Sequence, residues 1–405
     1  MSTILRAFDI VVLLSLFLDS NSNACDSLDY NAREPTPDSA IMDRSTNDSK
    51  GQLEDLMTIE DFERESEKNT EPKIWRYVSH GAGIGQTLKR NCEYFQRYLF
   101  RPRVMRDVSQ LDMGTTLLGE HINSPICVGV TTAQDKMHVD AELATAKASR
   151  AHRTCMVVST WSSVSMDDVA TVEGLKWFQI HPFHHREETT RRLVTRAENC
   201  GYKAIVLTID SRVVGREFGR LMSSGGFGFT PLHELPNLKE FGKIEYHDPS
   251  ASWEYVDWLK TITNLPIVIK GILTAESANE AIQHGADGII VSNQGARHLD
   301  GMVASIEALP EVAKAINGRC EVYLDSGIRR GTDIIKALAL GARAVFVGRP
   351  ILWGLACGGE AGVDRVLTLL EDELSNAMAL CGVAKVADID NSLVRHDTRP
   401  HVSKY

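Results

Sequence analysis

Two turns in the C-terminal half of the chain combine glycine with arginine in a way that suits phosphate binding. The first reads Leu324-Asp325-Ser326-Gly327-Ile328-Arg329-Arg330-Gly331, and the second reads Val347-Gly348-Arg349-Pro350. Glycine lets backbone N–H groups approach an anion closely, and arginine supplies a charged, forked donor. The pair predicts a phosphate site, although an ordinary tight turn between a strand and a helix also requires glycine.

Lys270 is a further charged residue, and it ends the apolar run Ile267-Val268-Ile269. Lysine is rarely buried without a partner, so its ammonium group should meet an electron-rich ligand or a neighbouring carboxylate. Seven other apolar runs also end in polar residues or glycine, which predicts a polar ligand rather than a series of helix caps. The residues at these ends are Thr131, Ser159, Gln179, Thr208 with Asp210, Lys270, Ser292 with Asn293, Asp325, and Gly348 with Arg349.

The eight runs that position these residues are short and rich in β-branched side chains. Continuous apolar sequence, rather than alternation, indicates burial on both faces, as in a parallel sheet. Amphipathic helical stretches separate the runs, so the sequence predicts an α/β fold, a single (β/α)8 TIM barrel. A doubly wound sheet is the alternative, but no GxGxxG follows the first run. The runs are 126–130, 155–159, 177–180, 204–208, 267–270, 288–292, 322–325 and 344–348, and the clearest helical stretches are 142–151, 187–199, 275–284 and 332–340.

Composition sets limits on the class of protein. The 405 residues are 43% hydrophobic and 24% charged, which is ordinary for a globular chain. The net charge of −10 gives no general basic field for nucleic acid, and the eight cysteines show no CxxC pair or zinc-like spacing. We therefore expect no nucleic-acid partner and no metal site.

The chain divides into four predicted segments. Residues 1–24 contain a short apolar run before Ser22-Asn23-Ala24, which is typical of a signal peptide or leader and too short to span a bilayer. Residues 25–54 are polar and predict a disordered extension. Residues 55–395 form the predicted barrel, and residues 396–405 form a C-terminal tail.

Three longer stretches resemble the FMN-dependent 2-hydroxy acid oxidase family, which includes glycolate oxidase and flavin lactate dehydrogenases. They are Ser292-Asn293-Gln294-Gly295-Ala296-Arg297-His298-Leu299-Asp300-Gly301, residues 265–271 and residues 337–350. The resemblance runs from Met57 to Arg395. It implies FMN as cofactor and oxidation of a small 2-hydroxy acid to a 2-oxo acid, with O2 as electron acceptor.

The resemblance also implies a flavin site made largely of the strand-end residues. Lys270 would lie near N1 and the C2 carbonyl of the flavin, and the glycine–arginine turns would hold the ribityl phosphate. Ser326 stands where the family usually has glycine. The implied cofactor-binding residues are Val130, Thr131, Thr132, Ser159, Gln179, Thr208, Lys270, Ser292, Asp325, Ser326, Gly327, Arg329, Gly348 and Arg349.

The catalytic part of the resemblance is incomplete. Gln294 takes the place of the histidine that removes a proton in the family, and an amide cannot act as a base near pH 7. His181 replaces a tyrosine of the family, whereas Asp210 matches the acid that orients the missing histidine. The implied substrate-binding residues are Tyr77, Trp161, Arg297 and Arg216, the last by a one-residue gap, since a straight count places Glu217 there.

Several functions therefore remain open. The first is an FMN-dependent oxidoreductase in which His181 or His298 supplies the base. The second is a non-catalytic FMN-binding protein, because Gln294 cannot supply it. The third is a flavin oxidoreductase whose substrate needs no such base.

Partners and location follow from the same resemblance. The expected partners are a small 2-hydroxy or 2-oxo acid and further copies of the chain, as a homotetramer, without a stable membrane span. The terminal Ser403-Lys404-Tyr405 is similar to a peroxisomal Ser-Lys-Leu signal, whereas residues 1–24 indicate the secretory pathway instead.

Overall fold

A closed barrel of eight parallel strands forms the centre of the protein, in a computed structural model that describes residues 53–183, 187–213, 230–242 and 247–399. Each strand pairs with the next one along the chain, and the last pairs with the first. The predicted (β/α)8 TIM barrel is confirmed. The strands are continuously apolar because side chains cover them on the inside and the outside of the barrel. The strands are β1 Ile126–Val128, β2 Met156–Ser159, β3 Lys176–Ile180, β4 Ile205–Thr208, β5 Ile267–Ile272, β6 Gly288–Val291, β7 Glu321–Asp325 and β8 Ala344–Val347.

Helices surround the barrel, and the four predicted amphipathic stretches are helices whose bounds differ from the prediction by at most one residue. Gly201, Gly285 and Gly341 follow three of them with positive φ angles of 81°, 77° and 108°, as expected where a helix ends. The helices are α1 Ile59–Asn69, α2 Pro72–Ser79, α3 Gln86–Glu93, α4 Ala141–Ala151, α5 Met166–Ala170, α6 Glu187–Asn199, α7 Glu254–Ile262, α8 Ala275–Gln283, α9 Ser305–Ile316, α10 Gly331–Ala339 and α11 Arg349–Leu380, which is kinked at Gly358 and Gly359. Short 3-10 helices cover Tyr94–Arg97, Gln134–Lys136, Leu232–Glu234, Lys239–Phe241, Gln294–Ala296, Val386–Asp388 and Asn391–Leu393.

The barrel interior is packed with side chains, so it is a core rather than a channel. One apolar cluster takes a residue from every strand, and its largest members are Trp177, Tyr323 and Phe346. Their ring centroids lie 5.5–5.7 Å apart. This packing fills the barrel interior and fixes where the strands, and the polar groups at their ends, can lie.

Two short antiparallel strand pairs lie outside the barrel. Tyr98–Phe100 pairs antiparallel with Val394–His396, and Thr115–Leu117 pairs with Glu120–Ile122. None of the helices in the described part of the chain is long and apolar enough to cross a membrane. The predicted leader, the C-terminal Ser403-Lys404-Tyr405 and Arg216 lie outside the described residues.

A charged network joins α4 to α11 through His152. The Nδ1 atom of His152 lies 2.8 Å from Glu371 and its Nε2 atom lies 3.1 Å from Asp364. Burial alone would lower the pKa of His152, but the hydrogen bonds and charges of these carboxylates outweigh it and raise that pKa above the ordinary 6.5. Protonated His152 therefore stabilises the folded chain.

Replacing His152 with glutamine should destabilise the protein in acid more than in base. The raised pKa means that the stabilisation is complete below pH 6.5 and is lost as the pH rises through the higher folded-state value. We expect the melting temperature to fall by about 1–3 °C at pH 6 and by less at pH 9. Thermal unfolding of both proteins across this range measures the effect, and a difference independent of pH would contradict it.

Candidate active site

An open cavity of about 1080 Å³ lies at the C-terminal ends of the barrel strands, where this fold builds its active sites. Most of the predicted site residues line it, although they come from distant parts of the sequence. Thr208 and Ser292 are buried just behind its wall. The predicted residues that line the cavity are Tyr77, Val130, Thr131, Thr132, Ser159, Trp161, Gln179, His181, Lys270, Gln294, Arg297, Asp325, Ser326, Gly327, Arg329, Gly348 and Arg349.

Three neighbouring strand ends carry an ordered chain of hydrogen bonds. The Ser159 hydroxyl donates to Oε1 of Gln179 at 3.0 Å, and Nε2 of Gln179 donates to Oγ1 of Thr208 at 3.0 Å. All three side chains are buried, so the amide of Gln179 is held in one orientation. A rigid row of donors and acceptors of this kind suits the heteroatom edge of a flat ring.

Lys270 finds the partners that its burial requires. Only 4% of its side chain is exposed, and its Nζ atom lies 3.6 Å from Oδ2 of Asp325. The same ammonium group donates to Oε1 of Gln294. A neighbouring carboxylate, one of the two predicted kinds of partner, is therefore present. The side-chain amide of Gln294, at the base position of the family, also accepts a hydrogen bond from the lysine.

The glycine–arginine end of the cavity carries excess positive charge. Arg349 donates to the carbonyl oxygens of Val78, His80 and Gly295 at 2.9–3.0 Å. Burial, together with the charges of Arg297 and Arg329, lowers the pKa of Arg349 to about 9. Within the described residues, neither Arg329 nor Arg349 forms a salt bridge with a carboxylate. A phosphate group would supply the missing negative charge.

The backbone at this end leaves room for such a group. A Cβ atom built on Gly348 would meet nothing closer than Cγ2 of Thr131 at 3.7 Å. Gly348 also caps α11, whose first N–H groups are a ready anion site. Ser326 has a φ of 74°, which explains why glycine suits this position, and its hydroxyl donates to Oδ1 of Asp325 at 2.7 Å. With the polar row at the other end, these residues fit a phosphorylated ring compound such as FMN.

The segment that contains Gln294 is held in an unusual conformation. Gln294, Gly295 and Ala296 have successive φ angles of 55°, 61° and 63°. Behind them, the buried amides of Asn293 and Asn91 bond reciprocally at 2.7 Å and 2.9 Å. This support fixes the direction in which the Gln294 side chain enters the cavity.

Asp210 lacks the partner that the resemblance implies for it. Both of its carboxylate oxygens are buried, and neither accepts a hydrogen bond from another described residue. Burial raises the pKa of Asp210 to about 6, against the opposing charge of Lys270. It packs so tightly on Gly271 that a Cβ there would lie 2.6 Å from its own. The acid remains in place, but the group that it would orient is absent.

Arg297 and Tyr77 form a cationic corner of the cavity. The guanidinium carbon of Arg297 lies 4.6 Å from the centroid of the Tyr77 ring, and its Nη1 atom donates to the Tyr77 carbonyl at 2.8 Å. The Tyr77 hydroxyl lies 3.2 Å from Oγ1 of Thr132. A forked guanidinium held in this way suits a carboxylate.

Two residues near the site were missed by sequence reasoning. The imidazole of His247 lies 5.6 Å from the ring of Trp161 and 5.7 Å from that of His181, measured between centroids. Ser211 contacts both histidines. No periodic pattern or motif surrounds His247, whereas Ser211 could have been found as the neighbour of Asp210 at a strand end.

Comparison with known proteins agrees with this geometry. A sequence model described as FMN-dependent dehydrogenase matches residues 66–396. The mouse 2-hydroxyacid oxidase 1 is 43% identical over 84% of this chain and 96% of its own, and the glycolate oxidase of Spinacia oleracea is 42% identical over 85% and 96%. A crystal structure of mandelate oxidase with benzoyl-formic acid superposes with a TM-score of 0.78 at 36% identity, over 84% and 98% of the two chains. The chain therefore belongs to the FMN-dependent dehydrogenase family, with the 2-hydroxy acid oxidases, and its cofactor is FMN.

Proposed function

We propose that this chain itself oxidises a small 2-hydroxy acid to the corresponding 2-oxo acid, with O2 as the final electron acceptor. The observation that carries the proposal is that Arg297 and Lys270 line one cavity. The guanidinium group of Arg297 can thus bind a substrate carboxylate next to a flavin that contacts the buried ammonium group of Lys270. Bound FMN supplies a two-electron acceptor.

The side chains divide into two groups in this proposal. Lys270, the Gln179 row and the glycine–arginine turns hold FMN. Arg297 binds the substrate carboxylate, Tyr77 supports Arg297 through its ring, and Trp161 forms the wall against the substrate side chain. Arg216 is proposed as a second carboxylate ligand from the sequence alone.

A second candidate function is favoured by Gln294. Its amide oxygen is engaged by Lys270, and an amide accepts no proton near pH 7. The chain could then bind FMN and a 2-hydroxy or 2-oxo acid without turning it over.

Anaerobic mixing separates the two candidates. We expect the absorbance of oxidised flavin near 450 nm to bleach when purified holoprotein meets glycolate, lactate or a longer 2-hydroxy acid. The matched acids without a hydroxyl group, acetate and propanoate, should leave it unchanged. A protein that retains FMN but is not bleached by any 2-hydroxy acid would establish the non-catalytic candidate.

We also propose that the chain assembles as a homotetramer and is directed to peroxisomes by Ser403-Lys404-Tyr405. Both rest on the resemblance of the sequence to the family. Mass photometry of the holoprotein and fluorescence microscopy of the tagged full chain, with and without the last three residues, test them. Secretion guided by residues 1–24 would be the contrary result.

A further inference from the structure

Three imidazoles gather on the side of the cavity where the substrate would lie. His181, only 3% exposed, stacks on Trp161 with 4.5 Å between ring centroids and 21° between ring planes. His247 stands edge-on to both rings, and His298 follows Arg297 and lines the same cavity as His181. These imidazoles surround a region in which Gln294 offers no base.

Ser211 links two of these imidazoles and fixes a tautomer. Nδ1 of His247 lies 2.5 Å from the Ser211 carbonyl oxygen, which can only accept, so this nitrogen carries the hydrogen. The Ser211 hydroxyl lies 3.4 Å from Nδ1 of His181. Ser211 is therefore held by its carbonyl while its hydroxyl faces His181. With the hydrogen of His181 on Nδ1, this nitrogen donates to the Ser211 hydroxyl oxygen, and Nε2 keeps the lone pair that can accept a proton.

We propose that His181 accepts the proton of the substrate hydroxyl, and that Ser211 and His247 position it for this task. The inference rests on the proposed oxidation of 2-hydroxy acids. Asp210 and residue 294 would form the pair of acid and base in the family, and in this proposal Ser211, the residue after Asp210, orients His181 instead.

The reaction balances with His181 as the proton acceptor. The O–H bond of the substrate breaks, and its proton passes to Nε2 of His181. The C2–H bond breaks, and its hydrogen leaves with two electrons. FMN, held by the residues described above, would supply the two-electron acceptor. The C2–O bond becomes a carbonyl, so the 2-hydroxy acid has lost two electrons and two protons.

The charges around His181 suit this role. Burial lowers the pKa of His181 well below 6.5, and the nearby His247, Lys270 and His298 lower it further. The ring is therefore neutral at neutral pH and has a lone pair available. A substrate carboxylate adds negative charge to the cavity, which favours the protonated ring after transfer.

His298 is less suited to the same task. Burial, then His247 and the adjacent Arg297, lower the pKa of His298 to about 4, so this ring is neutral like that of His181 and the two pKa shifts do not separate the candidates. Arg297 is the residue that would hold the carboxylate, so its charge stays next to His298 throughout the reaction. Arg297 is not among the charges that lower the pKa of His181, and the Ser211 hydroxyl contacts and orients its ring.

The first test compares variants of His181 in holoprotein under anaerobic conditions. We expect His181→Phe and His181→Tyr to retain FMN and to slow flavin reduction by about 10²- to 10⁴-fold, as for loss of a general base. The family has tyrosine at this position, so the His181→Tyr variant provides the test if the His181→Phe protein does not fold. Unchanged rates, or a comparable loss in His298→Phe but not at position 181, would overturn the inference.

A second readout does not depend on turnover. 2-Hydroxy-2-methylpropanoate has no hydrogen on C2 and cannot be oxidised to a 2-oxo acid, and 2-methylpropanoate carries a hydrogen in place of its hydroxyl. We expect His181→Phe to raise the Kd of the hydroxy acid, measured by calorimetry, about 5-fold, which corresponds to the loss of one hydrogen bond. The Kd of 2-methylpropanoate should hardly change. Equal effects on the two acids would show that His181 does not meet the hydroxyl.

The positioning role has its own signature. Ser211→Ala should lower kcat about 5-fold with little change in KM, and Ser211→Thr, which keeps the hydroxyl, should restore it. His247→Gln should act like Ser211→Ala. A wild-type protein that no 2-hydroxy acid reduces would refute the proposed function itself, whereas a reducible wild type with unaffected variants would refute only the role of His181.

Discussion

Substituting Gln294 with histidine is expected to raise the rate of flavin reduction by a 2-hydroxy acid about 100-fold, within the range that a general base contributes. The site already contains what the new side chain needs. Asp210 has two buried oxygens without a hydrogen-bond partner among the described residues, and histidine tolerates the φ of 55° at this position better than most residues. The Asp210 carboxylate would orient the imidazole and make it more basic than His181.

The matched control is Asp210→Asn in the wild-type and Gln294→His backgrounds. We expect it to remove the gain in the histidine variant and to change the wild-type rate little, because the wild-type acid orients no base. Stopped-flow reduction of the four proteins forms a double-mutant cycle. Additive effects would mean that Asp210 and residue 294 do not act as a pair. A histidine variant without any gain would indicate that the loop after β4 also limits the reaction.

Replacing Arg297 with methionine should lower kcat/KM for 2-hydroxy acids by about 10²- to 10³-fold, mainly through KM. Arg297 is aligned by the Tyr77 ring and carbonyl, so its guanidinium is already set for a carboxylate. Methionine keeps much of the length and apolar contact but removes the charge. Steady-state kinetics with glycolate and lactate measure the loss.

Arg297→Lys provides the control for charge without the fork. It should recover part of the lost affinity but not all of it, because an ammonium group cannot bind a carboxylate with two parallel hydrogen bonds. Both variants should retain the yellow colour of bound FMN. A methionine variant with unchanged KM would show that the carboxylate binds elsewhere, and loss of FMN would place Arg297 in the cofactor site instead.

The fold was predictable because burial on both faces leaves a continuous signal in each strand. All eight runs became strands that begin and end within two residues of the prediction. Lys270 and the two glycine–arginine turns were also accessible, since a charged residue at the end of an apolar run needs no knowledge of distant segments. The neighbouring sequence alone is enough to place each of these residues at the end of a strand.

The contacts around His181 were not predictable in the same way. His181 follows β3, whereas Ser211 and His247 lie 36 residues apart in the connection between β4 and α7. No spacing in the sequence indicates that these residues meet. The resemblance led us to expect an orienting role for Asp210. Its carboxylate has no hydrogen-bond partner among the described residues, and Ser211 contacts another histidine. Tertiary packing, rather than residue type, decides which polar neighbour a side chain receives.

The contacts of Arg349 couple the binding of FMN to the stability of the folded chain. Its guanidinium holds the end of α2, through Val78 and His80, against Gly295 in the barrel loops, and it faces the end of the cavity that suits phosphate. Bound FMN therefore stabilises the folded state by mass action, by about 2.7 kcal/mol when free FMN is at a hundred times its Kd. Substitutions near α2 will appear mild in saturated protein and severe in protein stripped of FMN. Cofactor supply during expression thus sets how much sequence change this segment tolerates.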